Sequence, residues 1–246
     1  GLFVNQDEAI VIMFKGGPGT GKTTFGRLIA ELLFKIGIIQ ENKFVEVQRE
    51  ALVGAVIGET ERKAEAVISD AHGGVLFVDE AYRLHVKGSE KDFGQIAITT
   101  LMKAMTVKGK VIILAGYPQE MSDFVAVNAG IKRRITYEFT FDDYTPKDLA
   151  EIVRLQVNKR GFALASDVTD RALTELITVH TSQAQRANFN AGLCEHVARN
   201  AIASLNAHVV GEIHARTLRG ESPPPPTITL CLHHVLKGIC DVPGGP

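Results

Sequence analysis

Short apolar runs alternate with amphipathic stretches through the first half of the chain. Residues 9–14 (AIVIMF) are almost wholly apolar, as a strand buried on both faces should be, and a glycine-rich turn follows. Residues 22–35 predict a helix with Phe25, Leu28, Ile29 and Leu32 on one face. Residues 44–47 predict a short strand, and 60–71 a polar-rich helix. Residues 75–78 (VLFV) and 111–115 (VIILA) predict two more buried strands. Residues 135–141 (ITYEFTF) alternate, which predicts an edge or half-buried strand. Strands alternating with helices in this order imply an α/β fold with a parallel sheet.

The pattern changes after Tyr144-Thr145-Pro146, beyond which only helical periodicity is legible. Leu149, Ile152, Val153 and Leu155 mark one helix, residues 168–179 a second and 193–210 a third. Thr145 is the expected N-cap of the first, with proline at the first helical position and Asp148 at the third. Pro223 to Pro226 predict a stiff extended connector, followed by one short helix within 230–239 and a loose tail at 244–246. The expected division is an α/β domain over 1–144, a smaller helical domain over 145–222, and a connector and tail over 223–246.

Composition narrows the picture. The 246 residues carry 27 Lys and Arg against 28 Asp and Glu, a formal net charge of −1. Nothing in that balance draws the chain to nucleic acid or an anionic membrane, so neither is expected as a partner. Cys194, Cys231 and Cys240 are odd in number and widely spaced, which argues against a disulfide framework or zinc site. No apolar run reaches the roughly 18–20 residues that cross a bilayer. A soluble, intracellular protein is the expectation. The chain starts at Gly1 without a signal sequence, so it reads as a piece cut from a longer protein, with any native targeting segment left open.

Residues 16–24 read GGPGTGKTT and match G-x-x-x-x-G-K-[ST] from Gly16 to Thr23. Glycines let such a loop wrap so that backbone N–H groups point at phosphate oxygens. The following helix adds the positive end of its dipole. Gly17, Pro18, Gly19, Thr20, Gly21, Lys22, Thr23 and Thr24 are thus the expected nucleotide-binding residues. Lys22 is expected to reach the β- and γ-phosphates, and Thr23 to present its hydroxyl oxygen to magnesium. A glycine-rich turn matching by chance has odds of roughly one in a hundred at this length. The strand before and helix after lower them further.

Residues 75–80 read VLFVDE. Beside a phosphate loop, a buried strand ending in two acids has one economical explanation. Asp79 holds magnesium through water, and Glu80 polarises the attacking water as general base. The alternative is an ordinary strand followed by a solvated acidic turn.

These motifs resemble those of an AAA+ ATPase, a P-loop NTPase fold with a small helical lid. The wider stretches FVEVQREALVGAVIGETERKAEAV, GGVLFVDEAYRL, EKDFGQIAITTLMKAM, VIILAGYPQEMSDF and NAGIKRRITYEFTFDDYTP are similar to the group containing the red-type rubisco activases (CbbX/CfxQ) and the stage V sporulation protein K ATPases. The resemblance covers residues 9–164 and implies ATP and Mg2+ as cofactors. It further implies a ring, usually a hexamer, of like copies or sibling modules that remodels a protein client, and an arginine finger reaching a neighbour's nucleotide. Arg134, directly before the last strand, is the matching residue, with Arg133 second.

Three positions depart from the AAA+ family pattern. Its pore loop normally carries an aromatic residue, where Gly54 to Gly58 here place Val56. Its lid carries a sensor arginine after an Asn-Ala pair, where Asn190-Ala191 is followed by Gly192, leaving Arg186 or Arg199 as substitutes. Near the end of VIILA, where the family usually has a polar residue that helps place water, Gly116-Tyr117 follows as in the resembling group; Tyr117 is expected to be packed, with service in that polar role the alternative. Only Gly1 to Glu8 precede the first strand, where the group has a linker and helix. A module of a tandem protein, binding nucleotide as a scaffold with little turnover, is therefore the second expectation. His233 and His234 are expected at the surface, and Asp142-Asp143 in a solvated turn or as a helix cap.

Overall fold

The computed structural model describes residues 9–56, 58–85, 92–224 and 227–243. Expectations on residues 1–8, Ile57, Pro225, Pro226 and 244–246 lie outside these. The chain divides into two units. One comprises the chain to Asp142 apart from Pro18–Thr20, and the other Asp143 onward together with Pro18–Thr20.

The first unit is an α/β layer structure. Its elements run β1 (Ile10–Gly16), α1 (Lys22–Lys35), β2 (Phe44–Val47), α2 (Arg49–Leu52), α3 (Glu59–Asp70), β3 (Val75–Val78), a 3₁₀ turn (Ala81–Leu84), α4 (Gly94–Ala104), β4 (Val111–Gly116), α5 (Pro118–Val127), α6 (Ala129–Lys132) and β5 (Tyr137–Phe141). The strands form one sheet in the order β2-β3-β4-β1-β5, parallel throughout. The three runs that read as buried on both faces, β1, β3 and β4, are the central strands. Alternate residues feed two cores. Val11, Met13, Leu76, Val78, Ile112 and Leu114 face one side, and Ile10, Ile12, Phe14, Phe77 and Ile113 the other. Each large side chain so buried contributes about 1.5–3 kcal/mol of transfer free energy.

Helix α1 has the expected limits but turns a different face to the sheet. Gly26, Ala30 and Leu33 are buried, while Leu28 and Leu32 remain 56% and 55% exposed. A Cβ on Gly26 would lie 3.1 Å from the Phe77 ring and 3.2 Å from that of Phe44. The helix approaches too closely for a large residue there, so its bulkier apolar side chains are displaced to the flanks. Phe25, on one flank, joins Phe139 and Phe141 of β5 around Phe14, with ring centroids 5.0 to 6.1 Å apart across this cluster.

The second unit contains α7 (Pro146–Lys159), β6 (Ala163–Leu164), α8 (Asp170–His180), α9 (Gln183–Phe189), α10 (Ala191–Leu218), β7 (Thr229–Leu230) and α11 (Leu232–Cys240). Thr145 caps α7 as expected, in a box with Asp148. Two findings correct the purely helical reading of this half. Strands β6 and β7 pair in parallel over two residues each, too few to show a period. The segment beyond the prolines is no tail, because Leu230, Val235, Ile239 and Val242 are buried with Leu149, Val153, Leu193 and Val197 in one core. A Cβ on Gly238 would meet the Val197 carbonyl at 2.7 Å, so α11 lies directly on α10. Helix α10 also runs eight residues past its expected end at Val210. Its last buried residue is Leu205, so no core-facing pattern marked the final turns.

His234 corrects a surface assignment: only 4% of it is exposed, whereas His233 is exposed. Its Nδ1 accepts the Cys231 N–H at 3.2 Å and lies 3.1 Å from Cys231 Sγ, while Nε2 is buried without a partner among the described residues. Burial pulls the imidazole below its ordinary value, with His208 and His233 adding to the effect and Asp167 opposing it. The folded unit therefore binds this proton less readily than the unfolded chain. The contribution is fully present above a pH of about 6.5 and is lost as pH falls through the window below it. The melting temperature of the second unit is expected to drop on acidification from about pH 7 toward pH 5. His234→Asn, whose amide oxygen can still accept from Cys231, should flatten that dependence. An equal slope in both proteins, read by calorimetry, would contradict this.

Candidate functional site

Registers put the chemistry at one edge of the sheet. Met13 pairs with Leu114, and Leu114 with Val78. The loop leaving β1 and the acids leaving β3 therefore emerge together at the carboxyl ends of the strands, where open α/β sheets bind ligands. Lys22 and Thr23 open α1, whose N-cap Gly21 has φ 90°. The Lys22 ammonium donates to the carbonyls of Gly16 at 2.9 Å and Gly17 at 2.7 Å. Burial pulls it below its ordinary value, and Asp79 and Glu80 pull it back. It also lies 5.7 Å from the centre of the Tyr117 ring, which packs on Tyr82.

Asp79 accepts the Glu80 N–H at 3.0 Å and is half-buried. Glu80 has φ 48°, left-handed backbone that a non-glycine residue rarely adopts. Such strain collects at functional positions. Its carboxylate accepts from Tyr82 OH at 3.1 Å and from Arg83 at 2.9 Å. Neither partner was singled out by sequence.

The tip of the glycine loop, Pro18–Thr20, belongs to the second unit and is held there by Asn190. That residue is fully buried with φ 45°. Its Nδ2 donates to the carbonyl of Pro18 at 3.0 Å and to Asp143 at 2.9 Å, and its Oδ1 accepts the Tyr144 N–H at 3.0 Å. Tyr144 OH donates to the Thr20 carbonyl at 3.1 Å, and Ala191 N–H to that of Gly19 at 3.1 Å. Gly19 cannot be replaced without conflict: φ is +68°, and a Cβ would lie 2.4 Å from the Phe189 carbonyl. The only sequence signal for Asn190 was its place before Ala191 and Gly192.

The other expected residues are placed as follows. Arg134 folds back on its own chain, donating to the Gly130 carbonyl at 2.7 Å, and Arg133 is exposed. Val56 is 63% exposed on a loop whose Ala55 N–H is accepted by Glu59 at 2.7 Å. Arg186 donates to Thr181, and Arg199 bonds His196, so both are engaged within the second unit. A Cβ on Gly192 would meet nothing within 4 Å. Among the described residues no helix is long and apolar enough to cross a membrane.

Residues 12–133 match the ATPase family associated with various cellular activities (AAA). The chain belongs to this AAA family. Residues 143–218 match a domain of unknown function, DUF8495. Stage V sporulation protein K of Bacillus subtilis is 39% identical over 193 residues, 74% of this chain and 60% of that protein. Protein CbbX of Cereibacter sphaeroides is 38% identical over 186 residues, 75% of this chain and 60% of that protein. The chloroplastic ribulose bisphosphate carboxylase/oxygenase activase of Cyanidioschyzon merolae is 36% identical over 186 residues, 75% of this chain and 63% of that protein. The chain therefore spans about three fifths of the length of these relatives. Among solved structures, the FIGL-1 AAA domain in complex with ADP superposes with a TM-score of 0.60 at 19% identity, over 94% of this chain and 70% of that chain. A Thermotoga maritima RuvB mutant gives 0.60 at 17% identity, over 94% and 62%. At these identities the structural likeness shows the AAA fold alone. The chain is thus a module related to the AAA ATPases.

Proposed function

We propose that this AAA module binds ATP with magnesium and hydrolyses it within a ring of like copies or sibling modules, and that the cycle remodels a protein client. One observation carries the reading: the strand registers bring the glycine loop with Lys22 and the acids Asp79 and Glu80 to the same carboxyl edge of the sheet. The N–H groups of Gly19 to Thr24 receive the phosphates, and Lys22 exchanges its two loop carbonyls for β- and γ-phosphate oxygens. Thr23 and Asp79 offer a hydroxyl and a carboxylate, hard oxygen donors suited to magnesium. Among the described residues no three His, Cys, Asp or Glu side chains gather into a metal cage. That suits an ion bound mainly by water, substrate phosphates and one or two protein oxygens. Magnesium neutralises charge on the phosphates when bound. Glu80 accepts a proton from water as its oxygen bonds to the γ-phosphorus, and the bond to the β–γ bridging oxygen breaks to give ADP and phosphate.

A nucleotide-binding scaffold with little turnover is the second reading, favoured by Val56 at the pore position and by Gly192 where the group has a sensor arginine. Steady-state ATPase measured across protein concentration separates the two. A specific rate that climbs with concentration supports sites shared between copies, and binding without turnover at any concentration supports the scaffold. Lys22→Ala is expected to weaken ATP binding by about 10- to 100-fold, the worth of a charge-assisted hydrogen-bond set to phosphate. Unchanged affinity by calorimetric titration would overturn the phosphate-site assignment.

A further inference from the structure

Tyr117 lies against the phosphate site and takes no part in the chemistry above. It follows β4, whose Gly116 pairs with Lys15 of β1, so it stands level with Gly16, where the glycine loop opens. Its backbone is fixed from both sides. Behind it, β4 is a central strand between β3 and β1. Ahead of it, its carbonyl accepts the Met121 N–H at 2.9 Å at the start of α5. With φ −73° and ψ 148° it has the extended conformation that the following Pro118 favours. The ring is backed by that of Tyr82, with centroids 5.8 Å apart and 31° between the planes. Tyr82 reaches this place across Gly116, where a Cβ would lie 2.7 Å from Tyr82 Cδ1 and 2.8 Å from Met121 Sδ. The Tyr117 ring is therefore a platform held by the sheet, by α5 and by a second aromatic residue.

Lys22 rests on that platform. Its ammonium lies over the ring, 5.7 Å from the centre, while it donates to the carbonyls of Gly16 at 2.9 Å and Gly17 at 2.7 Å. An aromatic face attracts a cation within about 6 Å, most strongly where water is scarce. A lysine ammonium is otherwise a compact charge on a flexible four-carbon stem, free to swing between the loop and solvent. The ring restrains that freedom in a way the carbonyls do not. It draws the charge toward the β4 side without supplying an oxygen that an incoming phosphate must displace.

We propose that Tyr117 is a positioning residue for ATP binding: its ring face seats the Lys22 ammonium at the mouth of the glycine loop, and its hydroxyl is dispensable. The proposal rests on the reading of Lys22 as a phosphate ligand. It differs from service as a polar residue that places water, because the two roles use different parts of the side chain and act on different constants. A seat for Lys22 serves bound ATP and the transition state alike, so its loss raises KM and spares kcat. A hydroxyl that places water acts in the chemical step, so its loss lowers kcat.

The test measures ATP affinity by calorimetric titration, with kcat and KM, in wild type, Tyr117→Phe, Tyr117→Leu, Lys22→Ala and the Lys22→Ala/Tyr117→Leu double variant. Tyr117→Leu is expected to weaken ATP binding roughly three- to thirty-fold, the span of cation–π contacts from exposed to desolvated sites, with kcat spared. Tyr117→Phe keeps the ring and should restore both constants. In the double variant, leucine should cost nothing beyond Lys22→Ala, because a residue that acts through Lys22 has nothing left to act on. Tyr117→Met takes the place of leucine if melting shows that the leucine variant does not fold. Wild-type affinity in Tyr117→Leu overturns the proposal. A Tyr117→Phe variant that loses affinity or turnover overturns it too, by assigning the role to the hydroxyl, as does a leucine penalty that persists in full without Lys22. Unchanged affinity in Lys22→Ala overturns the phosphate-site reading itself, and the proposal with it.

Discussion

Glu80→Gln is expected to bind ATP as the wild type does and to lose turnover by about 10²–10⁴-fold, the usual worth of a positioned general base. The change keeps shape and removes charge. Glutamine's amide oxygen can still accept from Arg83, and its NH2 can donate to the Tyr82 hydroxyl, which accepts as well as donates, so the turn after β3 keeps its bonds. Glu80 already stands at φ 48°, and glutamine meets the same backbone cost there as glutamate, so no new strain arises. Binding depends on the glycine loop, Lys22 and Thr23, which the substitution leaves untouched. What is lost is the lone pair that receives the proton of the attacking water. Single-turnover hydrolysis beside a binding titration separates the two effects. A variant that binds and hydrolyses at the wild-type rate would remove Glu80 from the chemistry.

What the chain disclosed in advance follows from how locally each feature is determined. β1, β3 and β4 are buried on both faces, so an unbroken apolar run between turns suffices to place them. The glycine loop and the Asp79-Glu80 pair are equally legible as motifs, because each follows a fixed residue spacing after a buried strand, and the registers bring both to one edge of the sheet. α1 shows the limit of reading a helix by its apolar residues: Phe25, Leu28 and Leu32 dominate the pattern, yet the close face is Gly26 and Ala30. Small residues at a tight helix–sheet contact look polar-neutral in sequence and become visible only when Phe77 and Phe44 are seen above them. The second unit was harder for a different reason. The proline run signals an extended connector, but whether the chain then leaves or returns is decided by Leu230 and Ile239 finding the core formed by Leu149 and Leu193. Asn190 was invisible as an anchor of the loop tip because its partner Pro18 lies 172 residues away in sequence. Arg83 carries no signal of its own within DEAYRL, since only the folded turn brings its guanidinium to Glu80.

Arg134→Ala is expected to spare ATP binding and to cut turnover by about 10³–10⁵-fold, the range for an arginine supplied to a leaving phosphoryl group. In the structure Arg134 Nη1 donates to the Gly130 carbonyl at 2.7 Å, and its Nε is buried without a partner among the described residues. A guanidinium left partly unsatisfied on its own chain loses little by turning outward to a phosphate that offers several strong acceptors. If the residue acts on a neighbouring copy, Arg134→Ala and Glu80→Gln are inactive alone for complementary reasons. Each copy with an intact Glu80 then lacks its own finger but can be served by the intact Arg134 of the other variant. In a ring assembled head to tail from an equal mixture, about a quarter of the sites have an intact base beside an intact neighbouring arginine. The mixture should therefore recover about a quarter of the wild-type rate, whereas an arginine acting within its own chain would leave the mixture as inactive as its parts. Arg133→Ala, altering an exposed side chain, is the matched control and should stay within a few-fold of wild type. Loss in Arg133→Ala with full activity in Arg134→Ala would move the finger by one residue, because the two stand on successive positions of the turn entering β5.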